Sequence, residues 1–280
     1  MIYREILKKG SNFLKKNQIE NPYLDSELIL SKVTNKRREE ILLNINNKLK
    51  NNDITKFNNY LFRRYGKEPM AYILGYKHFW KYKFLINKSV LIPRPDTELV
   101  IEETLKYLPI ENSKKILDVG TGSGCIVVSL LKERPKCIAT AIDISKNAIN
   151  VAKTNAKLHQ LENKINFINI DIDKYKSYNY DLIISNPPYI NSIDLKRLDV
   201  DIKFHEPMLA LSGGSDGFRV LKKVILKSKK LLKINGKLIL EFGHRQKDQC
   251  SKMLNENGYY INQISKDLSG KDRCIVCTKL

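Results

Sequence analysis

Hydrophobic and polar positions change rhythm twice along the chain. In the first 75 residues Ile2, Ile6, Phe13 and Leu14 fall near helical spacing, as do Leu24, Leu28 and Leu30 after Asn21-Pro22. Residues 53–65 read as another amphipathic helix, begun by Asp53 as its cap. A small helical bundle is expected, broken by Glu68-Pro69 and Gly75. Residues 78–86 then alternate aromatic and polar side chains, which predicts a strand paired with Val90-Leu91-Ile92 through a turn near Asn87-Lys88. Pro93-Arg94-Pro95 follows, and Asp96 or Thr97 is placed to cap a helix running to about Leu108.

From Lys115 the pattern becomes short apolar runs separated by amphipathic stretches. Strands are predicted over 116–119, 137–143, 165–170, 181–185 and 237–242, with helices after the first two and over 216–232. That alternation specifies a parallel, doubly wound sheet. Residues 259–264 and 274–279 close it as an antiparallel terminal pair. The expected fold is therefore α/β, a Rossmann-like domain over 96–280, preceded by a helical domain over 1–75 and a β-hairpin linker over 76–95.

Composition changes this picture little. Of 280 residues 42% are apolar, ordinary for a chain that buries a core, and no window approaches the eighteen apolar residues of a membrane span. The start, Met1 to Ile6, lacks the apolar centre of a secretory signal, so a cytoplasmic protein is expected. The net charge of +20 suggests a polyanionic partner. Yet only 11 of the 50 basic residues are Arg, and the abundance of Lys, Asn and Ile fits a genome rich in A and T. Ribosome or RNA proximity and compositional drift both account for the charge. Cys274-Ile275-Val276-Cys277 is a lone CxxC without a second ligand pair. It reads as part of a strand, and no metal is expected.

Candidate chemistry lies at the ends of two strands. Asp118-Val119-Gly120-Thr121-Gly122-Ser123-Gly124 closes the first strand of the sheet with glycines at alternate positions. Such a turn lets backbone approach a ligand where the next helix presents its N-terminus. The spacing is neither the GxGxxG of a dinucleotide fold nor a phosphate loop, which needs a Lys. Asp143 ends the second strand, where a carboxylate accepts hydrogen bonds from both hydroxyls of a ribose. Asp171, after the third strand, is placed to meet an adenine amino group, and Ile172 offers an apolar wall for the ring.

Asn186-Pro187-Pro188-Tyr189 follows the apolar run Leu182-Ile183-Ile184-Ser185. Ligands of open α/β sheets bind beyond the carboxyl ends of the strands, so this loop shares a rim with the glycine turn. Two prolines stiffen the backbone and remove N–H donors, leaving carbonyl oxygens. Asn186 adds a side-chain carbonyl and Tyr189 an aromatic face. A planar –NH2 group suits this set, with Asn186 Oδ1 and the Pro187 carbonyl accepting its two hydrogens.

Together, Asp118 to Gly124, Asp143 and Asn186 to Tyr189 resemble class I methyltransferases that act on planar nitrogens. Ile92-Pro93-Arg94-Pro95-Asp96-Thr97-Glu98 narrows the resemblance to HemK-type N5-glutamine methyltransferases of peptide-chain release factors. Glu68-Pro69, Gly75 with Phe79-Trp80, and the block from His205-Glu206-Pro207 through Leu211-Ser212-Gly213-Gly214 to Asp216-Gly217 extend it over nearly the whole chain. The resemblance implies S-adenosylmethionine as cofactor, held by Gly120, Thr121, Gly122, Ser123, Gly124, Asp143, Asp171, Ile172 and Asn186. It implies class I release factors as protein substrate, methylated at the glutamine of a Gly-Gly-Gln motif. Asn186, Pro187 and Tyr189 would be catalytic, with Pro188 completing the substrate loop. Ile172 departs from the aromatic residue common in related enzymes, which implies weaker adenine stacking. A rival expectation is an adenine-N6 methyltransferase on DNA or RNA, which shares the Asn-Pro-Pro-Tyr chemistry. Against it, no sizeable extra domain is present to read or splay out bases, and direct nucleic-acid binding is not expected. A non-catalytic cofactor-binding module on the ribosome is a third alternative, opposed by the intact loop.

Overall fold

A computed structural model describes all 280 residues. The chain divides into two compact units, Met1–Tyr76 with Asp199–His205, and Lys77–Leu198 with Glu206–Leu280. The return of a short later segment to the first unit has no signature in a linear reading.

Five helices, Tyr3–Lys16, Pro22–Thr34, Arg38–Leu43, Asn51–Tyr65 and Met70–Leu74, build most of the first unit. Tyr3, Ile6, Leu7, Gly10 and Leu14 form a buried stripe on the first helix, packed with Ile29, Leu30, Phe57 and Leu61. The second helix buries Leu30 as its leucine spacing suggests, but its first turns bury polar side chains instead. Leu24 is exposed, and Asp25, Ser26 and Glu27 are buried. The reason is pairing: Arg64 Nε lies 2.7 Å from Asp25 Oδ2, and Arg38 holds Glu27. An unpaired carboxylate there would cost several kcal/mol. Burial still pushes the Asp25 carboxyl above its ordinary pKa, against the pull of Arg64. Arg64 Nη1 also meets Asp201 Oδ2 at 2.8 Å, which ties the returning segment into this unit. The fourth helix starts at Asn51, and Asp53 lies within its first turn without capping it. An acid in that turn still favours the helix through its dipole.

The second unit opens with a hairpin of β1 (Tyr76–Phe79) and β2 (Tyr82–Leu85). The expected turn at Asn87-Lys88 is not where the chain reverses. It reverses at Trp80-Lys81, with Trp80 at φ +54°. Trp80 N donates to Glu98 Oε1 at 2.7 Å, and Trp80 Nε1 and Tyr82 Oη donate to Glu133 Oε1 at 3.0 and 3.1 Å, so anchoring decides the turn. Val90-Leu91-Ile92 form no strand. Asn87 Oδ1 accepts from Ser89 N at 2.9 Å, a local turn that leaves the following residues irregular. Next, a short 3-10 turn over Pro95–Thr97 leads into a helix over Glu98–Leu105. Neither Asp96 nor Thr97 caps it.

The remaining strands are β3 (Lys115–Val119), β4 (Ile138–Asp143), β5 (Ile165–Asn169), β6 (Tyr180–Ser185), β7 (Ile190–Asn191), β8 (Ser212–Gly214), β9 (Leu232–Glu241), β10 (Tyr259–Lys266) and β11 (Asp272–Lys279). Seven form one sheet in the order β10-β11-β9-β6-β3-β4-β5. Pairing is parallel from β9 to β5, and β11 runs antiparallel to both β9 and β10. The chain winds outward from β3 to β5 and then returns to β6 on the other side of β3. The strand order therefore switches between β3 and β6, which opens a crevice at their carboxyl ends. Apolar side chains fill both faces. Ile116, Ile184, Ile239, Cys274 and Val276 enter one layer. Leu117, Ile183, Leu238, Ile275 and Cys277 enter the other. The two cysteines of the CxxC thus point to opposite sides of the sheet, as strand alternation requires.

Candidate active site

The glycine turn and the Asn186 loop leave β3 and β6, the two strands that flank the switch. Ser185 Oγ, fully buried at the end of β6, donates to Val119 O at 2.8 Å and fixes one strand end against the other. Gly120 N and Thr121 N donate to Ile142 O at 2.9 and 3.1 Å, laying the turn across the end of β4. Gly120, Gly122 and Gly124 take φ of +74°, +55° and +78°, a region that side chains disfavour. At Gly124 space is also short, because a Cβ would stand 3.2 Å from Ala152 Cβ.

Asp143 braces the same turn. Its Oδ2 accepts from Gly122 N and its Oδ1 from Ser145 N, each at 2.9 Å. Burial raises its pKa, and the two N–H donors partly offset that rise. Each carboxylate oxygen retains a lone pair for a ligand. Asp118 lies beneath the turn and is 1% exposed. Thr121 Oγ1 donates to its Oδ2 at 2.6 Å. Burial pushes the Asp118 carboxyl up to about 7, against that hydrogen bond. The sequence reading gave Asp118 no role, although its place before the glycines was the available signal. Asn155 was also missed. Its Nδ2 donates to Ser123 O at 2.8 Å and to Leu85 O at 2.9 Å, so one side chain joins the turn to the hairpin.

Between the two loops lies a cavity of about 400 Å³, within the usual range for a small-molecule site. Gly120, Thr121, Gly122, Ser123, Asp143, Asp171, Ile172, Asn186 and Pro188 all reach its wall. Gly124, Pro187 and Tyr189 do not. Gly124 is packed under Ala152. Pro187 is buried. Tyr189 turns its hydroxyl to Glu241 Oε1 at 3.3 Å. Asp171 is partly engaged, since its Oδ1 accepts from Asp173 N at 2.8 Å and its Oδ2 lies 3.6 Å from Lys223 Nζ. Ile172 is buried beside the cavity as an apolar wall.

Asn186 Nδ2 donates to Thr97 Oγ1 at 3.0 Å, which leaves Oδ1 as the free acceptor on the cavity side. Thr97 comes from the Ile92 to Glu98 segment, and a neighbouring pair holds that segment in place. Glu206, 1% exposed at its side chain, pairs with Arg94 Nη2 at 2.5 Å and accepts from Ile92 N at 3.3 Å. Behind the Asn186 loop, Gln246 Nε2 donates to Tyr189 O at 3.1 Å and Gly217 O at 3.2 Å. Glu241, at the end of β9, is 1% exposed. Burial pushes its carboxyl up to about 7, against the Arg273 charge and the hydrogen bond from Tyr189. Thr97, Gln246 and Glu241 lie 52 to 89 residues from the positions they serve, and no local motif marks them.

A glycine turn after β3, an acid at the end of β4 and a cavity over the switch point fit a nucleoside-bearing cofactor. That arrangement is the one of the class I methyltransferase fold. The solved structure of a methyltransferase from Pyrococcus furiosus agrees in fold, with a TM-score of 0.53 at 16% identity over 70% of this chain and 88% of that one. Residues 97–204 match a methyltransferase small domain, and residues 5–75 match the PrmC N-terminal domain. A release factor glutamine methyltransferase of Buchnera aphidicola subsp. Baizongia pistaciae is 36% identical over 273 residues, covering 98% of each chain. The chain belongs to the release factor glutamine methyltransferase family. A bifunctional methyltransferase of Rickettsia felis is 35% identical over 98% of this chain, which spans 57% of that longer protein.

Proposed function

We propose that the chain transfers a methyl group from S-adenosylmethionine to the side-chain amide nitrogen of the glutamine in the Gly-Gly-Gln motif of class I release factors, in the cytoplasm. The observation that carries this reading is the orientation of Asn186. With Nδ2 committed to Thr97, its Oδ1 is presented as an acceptor, suited to one hydrogen of a planar –NH2. The Pro187 carbonyl would take the other. An amide nitrogen is a poor nucleophile because its lone pair is delocalised. Two fixed acceptors favour charge leaving N–H as the C–N bond forms, and holding the amide in place supplies much of the rest.

The cofactor's contribution is an electrophilic methyl on sulfonium sulfur. Gly120 to Gly124 would let it approach the backbone, Asp143 would accept from its ribose, and Asp171 and Ile172 would border its adenine. Tyr189, directed to Glu241, would stiffen the substrate loop from behind. The first unit would dock the protein substrate, and a chain starting near Gly75 that stays folded should bind cofactor yet methylate release factor poorly.

Incubation with methyl-labelled cofactor and either release factor or DNA and RNA tests the reading. Label on the Gly-Gly-Gln glutamine, located by peptide mass spectrometry, is the expected result. Label on adenine alone would establish the nucleic-acid alternative in its place.

A further inference from the structure

We propose that Arg219 binds the adenine of the cofactor, laying its guanidinium plane against the ring and supplying the planar contact that the rest of the cavity wall lacks. This rests on the reading above that Asp171 and Ile172 border the adenine, and the closing experiment separates the two.

Three cationic side chains reach the cavity wall, Arg94, Arg219 and Lys223. Two are already matched. Arg94 pairs with Glu206, and Lys223 Nζ lies 2.6 Å from Asp173 Oδ2. The guanidinium of Arg219 is exposed and has neither a carboxylate nor another acceptor as partner. Its place follows from the helix it opens, Arg219–Leu231. Lys223 lies four residues on and so shares its face, one turn along. That lysine also stands 3.6 Å from Asp171 Oδ2. Val220 packs against the apolar layer that contains Ile172. The edge of this helix therefore borders the Asp171 and Ile172 end of the cavity, and Arg219 is the first side chain of that edge.

Backbone makes room for the arm. Gly214, at the end of β8, has φ +97°, and a Cβ built there would stand 2.9 Å from Arg219 Cβ, 3.5 Å from its Cδ and 3.6 Å from its Nε. The Arg219 stem thus lies along bare backbone, which limits the ways it can turn. No aromatic side chain lines the cavity. Ile172 gives a flat ring dispersion contact but no planar partner. A guanidinium is planar, weakly hydrated and always charged, and it stacks on aromatic rings. The other partner for an unmatched cation is an acid, and the amino-acid end of the cofactor carries one. That end follows the sulfonium toward Asn186, whereas the Arg219 edge borders Asp171.

Calorimetry with two ligands tests it. S-adenosylhomocysteine is the demethylated cofactor, and 5′-methylthioadenosine keeps the adenosine but lacks the amino-acid end. Arg219→Ala should weaken both to the same extent, by roughly fivefold to thirtyfold. Arg219→Lys should recover little of this, because an ammonium keeps the charge without the plane. Unchanged affinity for both ligands in Arg219→Ala would overturn the proposal. So would a loss confined to S-adenosylhomocysteine, which would assign Arg219 to the carboxylate, or full recovery in Arg219→Lys, which would leave charge alone as the cause. Ile172→Ala reports on the reading beneath. It should also weaken both ligands, and if it does so while Arg219→Ala does not, the proposal falls and the adenine site stands. If neither variant has an effect, the adenine has been misplaced and the proposal falls with it.

Discussion

The two loops that border the cavity rest on the same device and differ in how far the chain reaches to build it. Beneath the glycine turn lies Asp118, held by Thr121 three residues away at 2.6 Å. Behind the Asn186 loop lies Glu241, held by Tyr189 from 52 residues away at 3.3 Å. Burial pushes both carboxyls up to about 7. The turn is a local structure, shaped by glycine backbone and its own side chains. The loop is shaped by residues that the sheet brings in, Thr97 from before the first helix of the domain, Glu241 from the end of β9 and Gln246 from beyond it. A local structure can hold a cofactor for many reactions, whereas an assembled one can be tuned for a single substrate group.

Substitution on the loop side should give the larger effect on chemistry. Asn186→Ala removes the acceptor that the proposed mechanism needs as charge develops, so turnover should drop on the order of a hundredfold or more. The fold should survive, since the residue lines a rim cavity. Near-normal methylation of release factor by the folded variant would mean that the loop has been misread. On the turn side Asp143→Ala should act on binding. Losing a charged acceptor should weaken cofactor affinity by about 2–3 kcal/mol, read by calorimetry, and an unchanged affinity would remove Asp143 from the site. If Asp143→Ala instead lowered kcat at saturating cofactor, the division between a binding turn and a reacting loop would fail.

That division also explains what could be read in advance. The parallel sheet, the glycine turn, Asp143 and Asn186 were legible because their signals are contiguous: apolar runs, alternate glycines, an acid at a strand end. The hairpin register was not, because Glu98 and Glu133, distant in sequence, anchor Trp80 and move the turn to Trp80-Lys81. Nor was the buried face of the second helix, where Arg38 and Arg64 turn two acids inward. Tyr189 was legible as part of the loop, but its direction toward Glu241 depends on a strand that ends 52 residues later. Side-chain pairing across the fold decided each of these, and hydrophobic period carries no trace of it. Gly124 lies on the legible side, and its test is correspondingly simple. Gly124→Ala should destabilise the domain by about 1–2 kcal/mol through its left-handed φ, with the contact to Ala152 adding to this. Urea unfolding measures it, and stability equal to the parent would show that the turn is free to adjust.

The smallest expected effect sharpens the comparison of the two buried acids. Asp118 titrates at about 7 in the fold, against 3.8 as its ordinary value. Between those values the folded chain keeps a proton that the unfolded chain has released. Native protein then binds more protons than unfolded, so rising pH through that window lowers stability, and the contribution is fully present only below the unfolded pKa. Asp143 and Glu241, also raised, push the same way, while Asp181 and Glu133, held below the ordinary carboxylate range, push the other. A melting curve of the parent alone therefore cannot isolate one group. Asp118→Asn can, because it removes a single titration and keeps an oxygen to accept from Thr121. Between about pH 5 and about pH 8 the gap in melting temperature between variant and parent should move by a few °C in the variant's favour, as the parent gives up the stability of its protonated Asp118. Parallel melting temperatures across that range would show that Asp118 does not titrate there. Glu241→Gln in the same series should move its own gap the same way, and it should change kcat because Glu241 touches the loop through Tyr189, whereas Asp118→Asn should leave kcat in place. A shared effect on kcat would mean that the acid beneath the turn and the acid behind the loop act as one coupled pair.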